Sequence, residues 1–167
     1  KTAILKPLLK PDGISYRPIS CLNVMDKLIQ GLMAKRIAEV ILPKVHPSQY
    51  GSQPHKGAEM ALAEMIERTK SLKATRKSVA IMPYDFRKAF DVCDRGLIVQ
   101  KLRKRYNLNP YYCDYIMSFL TGRKFVIEVE LFTGIRRSDE YDQFTGVVQG
   151  SKLGPILFLA HINDLLN

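Results

Sequence analysis

Val79-Ala80-Ile81-Met82-Pro83-Tyr84-Asp85-Phe86-Arg87-Lys88-Ala89-Phe90-Asp91 is the stretch on which the fold of this chain turns. The apolar run predicts a buried strand, and Asp85 stands at its tip, where a carboxylate drawn toward a low-dielectric interior needs a cation. A divalent metal is the natural partner. Taken alone, the segment has a simpler reading, because an Asp after an apolar run commonly marks a turn or a helix cap. The second distinctive stretch, Gly146-Val147-Val148-Gln149-Gly150-Ser151-Lys152-Leu153-Gly154-Pro155-Ile156-Leu157-Phe158, has a simple reading too, as a Gly-rich loop entering a helix. Their order and separation, with Arg17-Pro18-Ile19-Ser20 upstream of both, are hard to obtain from three independent accidents.

Together these segments resemble the palm motifs of reverse transcriptases. The likeness is strongest to the enzymes of non-LTR (LINE-type) retrotransposons, with group II intron and retron enzymes as more distant relatives. It runs through nearly the whole chain, from Lys1-Thr2-Ala3-Ile4-Leu5 and Lys10-Pro11, ahead of Tyr16-Arg17-Pro18-Ile19-Ser20, to Phe158-Leu159-Ala160-His161-Ile162-Asn163-Asp164-Leu165. Between them stand Ser48-Gln49-Tyr50-Gly51 and Ala89-Phe90-Asp91. The resemblance implies an α+β fold, the fingers and partial palm of a right-hand polymerase, with a small, mainly antiparallel sheet packed by helices. It implies a fingers-like basic region over residues 1–76 and a partial palm, with interposed helices and a hairpin, over 77–167. The family's aromatic-x-Asp-Asp hairpin and thumb are expected beyond this stretch, since the sequence holds no Asp-Asp pair.

The implied activity is RNA-directed DNA polymerisation, in which a primer 3′-oxygen attacks the α-phosphate of a deoxynucleoside triphosphate and pyrophosphate leaves. In such chemistry positioning and charge neutralisation dominate, with two Mg²⁺ ions, or Mn²⁺ in their place, held by carboxylates and phosphate oxygens. By similarity Asp85 is the catalytic metal ligand, and the backbone carbonyl of Phe86 completes that edge. The amides of Lys88 and Ala89 are expected to face the triphosphate. Lys10 and Arg17 occupy the places of the fingers' triphosphate contacts, where developing charge calls for fixed cations. Phe90 puts a ring where the nucleotide sugar would lie and would exclude a 2′-hydroxyl. Gln149 resembles the residue that touches that sugar and helps align the template. Asp91 is expected to cap or brace the turn, and Gly150 to let the backbone approach closely. The expected partners are an RNA template, a DNA primer, deoxynucleoside triphosphates and the remainder of the same polyprotein. A non-catalytic nucleic-acid-binding remnant is the alternative. Two residues depart from the family pattern: Val148 stands where proline is usual, and Pro83 removes a ladder donor two residues before Asp85.

Charge fits a polyanion partner. The net charge of +10 is uneven, residues 1–80 holding 14 Lys and Arg against 6 Asp and Glu, and residues 81–167 holding 12 against 10. A basic region of this kind binds phosphate backbones in a salt-dependent, sequence-indifferent way. At 46% hydrophobic residues the chain is neither a disordered tail nor a membrane span, and its first residue is Lys rather than Met, so an internal start is expected. Without a visible targeting signal, an intracellular location in cytoplasm or nucleus is expected. Cys21, Cys93 and Cys113 have no paired spacing and read as small buried residues in a reducing setting. His46, His55 and His161 stand alone, His55 and His161 reading as surface or satisfied core residues.

Local patterns predict the elements. Asn23 caps a helix carrying Met25, Leu28, Ile29, Leu32 and Met33 on one side, which ends before Pro43. Ala58, Ala61, Leu62, Met65, Ile66 and Thr69 recur at helical spacing, with Glu64 and Arg68 placed to pair and the helix placed to cover a sheet. Asp94 begins a helix carrying Leu97, Ile98 and Leu102, and Asn109-Pro110 begins another with Tyr112, Tyr115, Ile116 and Phe119 as a core stripe ended by Gly122. Phe125, Ile127, Val129 and Leu131 alternate with Lys124, Val126, Glu128 and Glu130 as a half-exposed strand, and Thr133-Gly134 turns it into its partner. Ser151 and Pro155 launch the last helix.

Overall fold

Three short polar side chains fix where three helices begin. In the computed structural model, which describes residues 1–166, Asn23, Asp94 and Asn109 accept hydrogen bonds from the amides of Met25 (2.9 Å), Leu97 (2.7 Å) and Tyr111 (2.9 Å). They cap α1 (Val24–Ile41), α3 (Arg95–Lys104) and α4 (Pro110–Leu120), satisfying donors that a helix start leaves unpaired. The helix α2 (Ala58–Ala74) lies between the first two. The last helix, α5 (Gly154–Ile162), begins where Ser151 Oγ accepts from the Gly154 amide at 2.9 Å, with Pro155 in its first turn.

Four strands form one sheet: β1 (Thr2–Leu9), β2 (Tyr16–Cys21), β3 (Arg123–Leu131) and β4 (Gly134–Gln143), in the order β2-β1-β3-β4. β1 pairs antiparallel with β2 and parallel with β3, and β3 and β4 form the expected hairpin. The mixed fold with a small, mainly antiparallel sheet is as the sequence implies. The sheet draws strands from both sides of residue 76. The helices α3, α4 and α5 enclose a core in which Ile98, Leu102, Ile116, Leu120 and Leu157 are fully buried, joined by Ile37 and Ile41 of α1 and by Val147 and Leu153. Each such side chain contributes about 1.5–3 kcal/mol of apolar burial.

Several expectations are corrected. Residues 78–86 are neither strand nor helix; Met82 is 73% and Tyr84 83% exposed. A strand needs a ladder partner, Pro83 has no N–H to offer one, and among the described residues no backbone hydrogen bond reaches 78–87. Asp85 therefore does not end a buried strand. Helix α2 forms as expected but covers no sheet and buries no residue, and Glu64 accepts from the Tyr50 hydroxyl instead of pairing with Arg68. On α1 the predicted apolar side is exposed at Met25, Leu28, Ile29 and Leu32, while Met33 packs against the core, in which Gln30, Ile37 and Ile41 are buried. A bulge between Val126 and Glu128 breaks the β3 alternation: Glu128 is buried, paired with Lys6 (3.4 Å) and Arg137 (2.8 Å), whereas Val129 and Leu131 are exposed. Cys93 and Cys113 are buried as expected and Cys21 is exposed, because it closes β2 at the edge of the sheet.

The β1–β2 turn is held by one carboxylate. Asp12 accepts from the amides of Ile14 (3.0 Å) and Ser15 (2.9 Å) and from the Ser15 hydroxyl, while the Lys10 amide donates to the Ser15 carbonyl at 2.9 Å. Those bonds, the Ser15 hydroxyl foremost, hold the Asp12 carboxyl at about 2, below the ordinary value of 3.8.

Two outcomes are expected. Leu102→Ala, a fully buried truncation, destabilises the fold by about 2–5 kcal/mol in chemical denaturation, whereas Ile66→Ala on the exposed face of α2 changes stability by less than about 0.5 kcal/mol. The Asp12 contribution, from a carboxyl whose folded value is depressed, is complete above the unfolded value and lost as pH falls from about 4 toward 2. Amide exchange at Ile14 and Ser15 should rise across that window and, in Asp12→Asn, should already be raised at neutral pH.

Candidate functional site

The β1–β2 turn, the turn after Asp85 and the Gly-rich segment converge on one cavity of about 590 Å³. Lys10, Arg17, Lys88, Ala89, Phe90 and Gln149, drawn from three distant parts of the chain, all line it. Arg17 lies on the edge strand β2, opposite Leu8 of β1. Lys10 sits where β1 turns over, just past its last residue. Among the described residues, none of the three cations forms an ion pair with a carboxylate; Asp91 shares the cavity wall, and Lys10 acts on Asp12 in the neighbouring turn.

The turn from Lys88 is built by its backbone. Lys88 adopts φ +53°, and its carbonyl accepts from the amides of Asp91 (2.8 Å) and Val92 (3.2 Å). The amides of Lys88 and Ala89 donate to no protein group among the described residues and remain available to an anion. No long helix follows directly; α3 starts later, at Arg95. Asp91 braces this turn, but through its main chain: its amide closes the turn and its carbonyl accepts from the Thr145 hydroxyl at 3.0 Å. The Phe90 ring is stacked on Phe158, with centroids 4.7 Å apart and planes inclined by 23°, which fixes its position at the cavity wall.

The Gly-rich segment is seated on both sides. Val147 N donates to Phe90 O at 2.7 Å and Gly146 N to Cys93 O at 3.0 Å, while Ser20 N of β2 donates to Gln149 O at 2.9 Å. Gly150, at φ +102°, brings its Cα so close to β2 that a Cβ would lie 2.7 Å from Ser20 O, so the expected close approach is present. Val148, in the place where proline is usual, is buried.

Asp85 and Phe86 are placed differently. Neither lines this cavity; Asp85 is exposed and has no ion pair or hydrogen bond among the described residues. Phe86 lines a second cavity of about 360 Å³, walled by Leu97, Phe158 and His161, and Ala89 borders both. Half-buried there, His161 has its pKa pushed below the ordinary value by desolvation, and its Nδ1 lacks a partner among the described residues, so it is neither the surface residue nor the satisfied core residue expected. Among the described residues no group of three or more His, Cys, Asp or Glu side chains is placed to hold a metal, so Asp85 with the Phe86 carbonyl does not make a metal site on its own.

Sequence reasoning missed Arg95 and Thr145. Arg95 is 9% exposed and donates to Gly146 O through Nε and to Thr145 O through Nη2, both at 2.9 Å. Burial, and then the neighbouring Arg123, push its pKa down. A signal was present: a cation in the first turn of a helix opposes the helix dipole and calls for a reason.

The family model for reverse transcriptase (RNA-dependent DNA polymerase) matches residues 8–167. Over 99% of its length the chain is 30% identical to a probable RNA-directed DNA polymerase from transposon X-element of Drosophila melanogaster, of which it spans 18%. It is 30% identical over 98% of its length to the RNA-directed DNA polymerase from mobile element jockey of Drosophila funebris, spanning 18% of that protein. With the retrovirus-related Pol polyprotein from type-1 retrotransposable element R2 of Popillia japonica it shares 27% identity over 99% of its length and spans 23%. The chain thus covers less than a quarter of the length of these curated relatives. No helix among the described residues is long and apolar enough to cross a membrane. On these matches, with three motif segments gathered at one cavity, the chain belongs to the reverse transcriptase family.

Proposed function

We propose that this chain forms the nucleotide-binding part of an RNA-directed DNA polymerase that adds deoxynucleotides to a primer 3′-hydroxyl. The observation that carries the reading is the assembly of Lys10, Arg17 and Lys88, none with a carboxylate partner among the described residues, around one cavity with Phe90 and Gln149. A triphosphate brings several negative charges, and its departing pyrophosphate gains more. Arg17 can fork onto two phosphate oxygens, Lys10 and Lys88 add point charges, and the free amides of Lys88 and Ala89 supply donors at the turn. The two amides are set by the turn before the nucleotide arrives and need no reorganisation as charge develops. Phe90, held by Phe158, stands against the sugar and excludes a 2′-hydroxyl, while Gln149 touches the sugar from the Gly-rich side. Residues 1–76 serve as the basic fingers and 77–167 as the partial palm, drawing template RNA and primer to the cavity.

The family is generally divalent-metal dependent. The donors this chain offers to Mg²⁺, or to Mn²⁺, are the Asp85 carboxylate and the Phe86 carbonyl, and they do not by themselves complete a site. One observation favours the alternative of a nucleic-acid-binding remnant without catalysis: Asp85 does not line the cavity.

Two measurements test the reading. In titrations of this chain with dATP and ATP, Arg17→Ala should weaken dATP binding by about tenfold, the loss of a charge-assisted contact, and Phe90→Ala should erase the preference for dATP. Equal binding of dATP by wild type and Arg17→Ala would count against a triphosphate site. In a longer polypeptide that extends primers, Asp85→Asn should reduce extension by at least about a hundredfold; full activity would favour the remnant reading.

A further inference from the structure

We infer that Arg95 is a positioning residue of the nucleotide cavity, setting Phe90 and Gln149 in register through the main chain of Thr145 and Gly146. The inference rests on the nucleotide reading above. Arg95 does not line the cavity. Its guanidinium grips two successive carbonyls, Thr145 O and Gly146 O, each at 2.9 Å, which suits a planar fork whose fixed geometry a Lys ammonium lacks. No carboxylate pairs with it among the described residues, and it occupies the first residue of α3, where the helix dipole disfavours a cation. Neither helix formation nor ion pairing therefore accounts for a buried charge at this position; the two carbonyls do.

The gripped segment is bonded on its other side to the turn that carries Phe90. Thr145 Oγ1 donates to Asp91 O at 3.0 Å, Gly146 N to Cys93 O at 3.0 Å and Val147 N to Phe90 O at 2.7 Å. The approach is so close that a Cβ on Gly146 would lie 2.6 Å from Asp91 O. Val147 and Val148 are buried, which leaves no slack before Gln149, and Gln149 O takes the Ser20 amide of the strand bearing Arg17. A shift at residues 145–146 is thereby passed to Gln149 and on to β2. Arg95 pulls this segment from the α3 side while the 90–93 turn holds it from the other.

The test compares wild type, Arg95→Met, Arg95→Lys and Thr145→Val by residue-resolved amide exchange and by dATP and ATP titration. Arg95→Met, which keeps the buried volume and loses both donors, should raise exchange at Gly146, Val147 and Ser20 by at least about tenfold. Exchange at Ile116, whose amide belongs to α4 and not to the gripped segment, should stay within about twofold. dATP should bind about tenfold more weakly, and its advantage over ATP should shrink. Arg95→Lys should recover less than half of either effect on a logarithmic scale, and Thr145→Val should loosen Gly146 and Val147 in the same direction. Unchanged exchange at Gly146 and Val147 would overturn the inference, as would a uniform rise across the core or full rescue by Lys. If Arg95→Met does not fold, the Lys and Val variants decide by the same criteria. A wild-type chain that binds no dATP overturns the nucleotide reading, while the local exchange pattern still decides whether Arg95 sets the segment.

Discussion

Everything at the cavity depends on how residues 145–150 are seated between the 90–93 turn and β2. Two amide-to-carbonyl bonds fasten the segment to the turn and one fastens it to β2, so motifs more than fifty residues apart meet without an intervening element. The geometry is tolerable only because Gly146 and Gly150 carry no side chain, each having backbone oxygen where a Cβ would stand. Side chains enter second. Arg95 grips the segment from behind, and Phe158 of α5 fixes the Phe90 ring in front.

Much of this architecture was legible in the sequence. Asn23, Asp94 and Asn109 announce helix starts because a short polar acceptor followed by helical periodicity has few other uses, and Thr133-Gly134 announces a hairpin for equally local reasons. The six nucleotide-contact positions inferred from the motifs do gather at one cavity, although their roles there are a proposal. What stayed hidden was non-local. The strand predicted over Val79–Met82 has the composition but lacks a partner, and pairing cannot be read from one strand alone. The apolar stripes of α1 and α2 are real, yet apart from Met33 their large side chains stay exposed. Glu128 and Gln30, polar residues in interior positions, became legible only with Lys6, Arg137 and the Lys152 amide in place to bond them.

The ion pairs among the described residues involve none of the cavity cations. Lys101 and Arg105 meet Asp164, Lys6 and Arg137 meet Glu128, and Lys124 meets Glu140. At the cavity, Lys10, Arg17 and Lys88 are left unmatched. Such concentrated, unneutralised charge is unfavourable for the isolated fold through self-repulsion and favourable for an arriving polyanion.

The crowding at Gly146 also bears on how this chain can change length. Thr145, Gly146, Val147 and Gln149 bond to Asp91, Cys93, Phe90 and Ser20 in that order, so four of the six residues of the run have an assigned neighbour. Inserting or deleting one residue here would shift every later partner by a step and turn Val147 or Val148 out of the core. The exposed turn between β3 and β4, where Phe132 is fully solvated, carries no such assignment. Among descendants of this sequence, length variation should collect at that hairpin tip and be purged from 145–150, leaving a fixed ruler beside a free end.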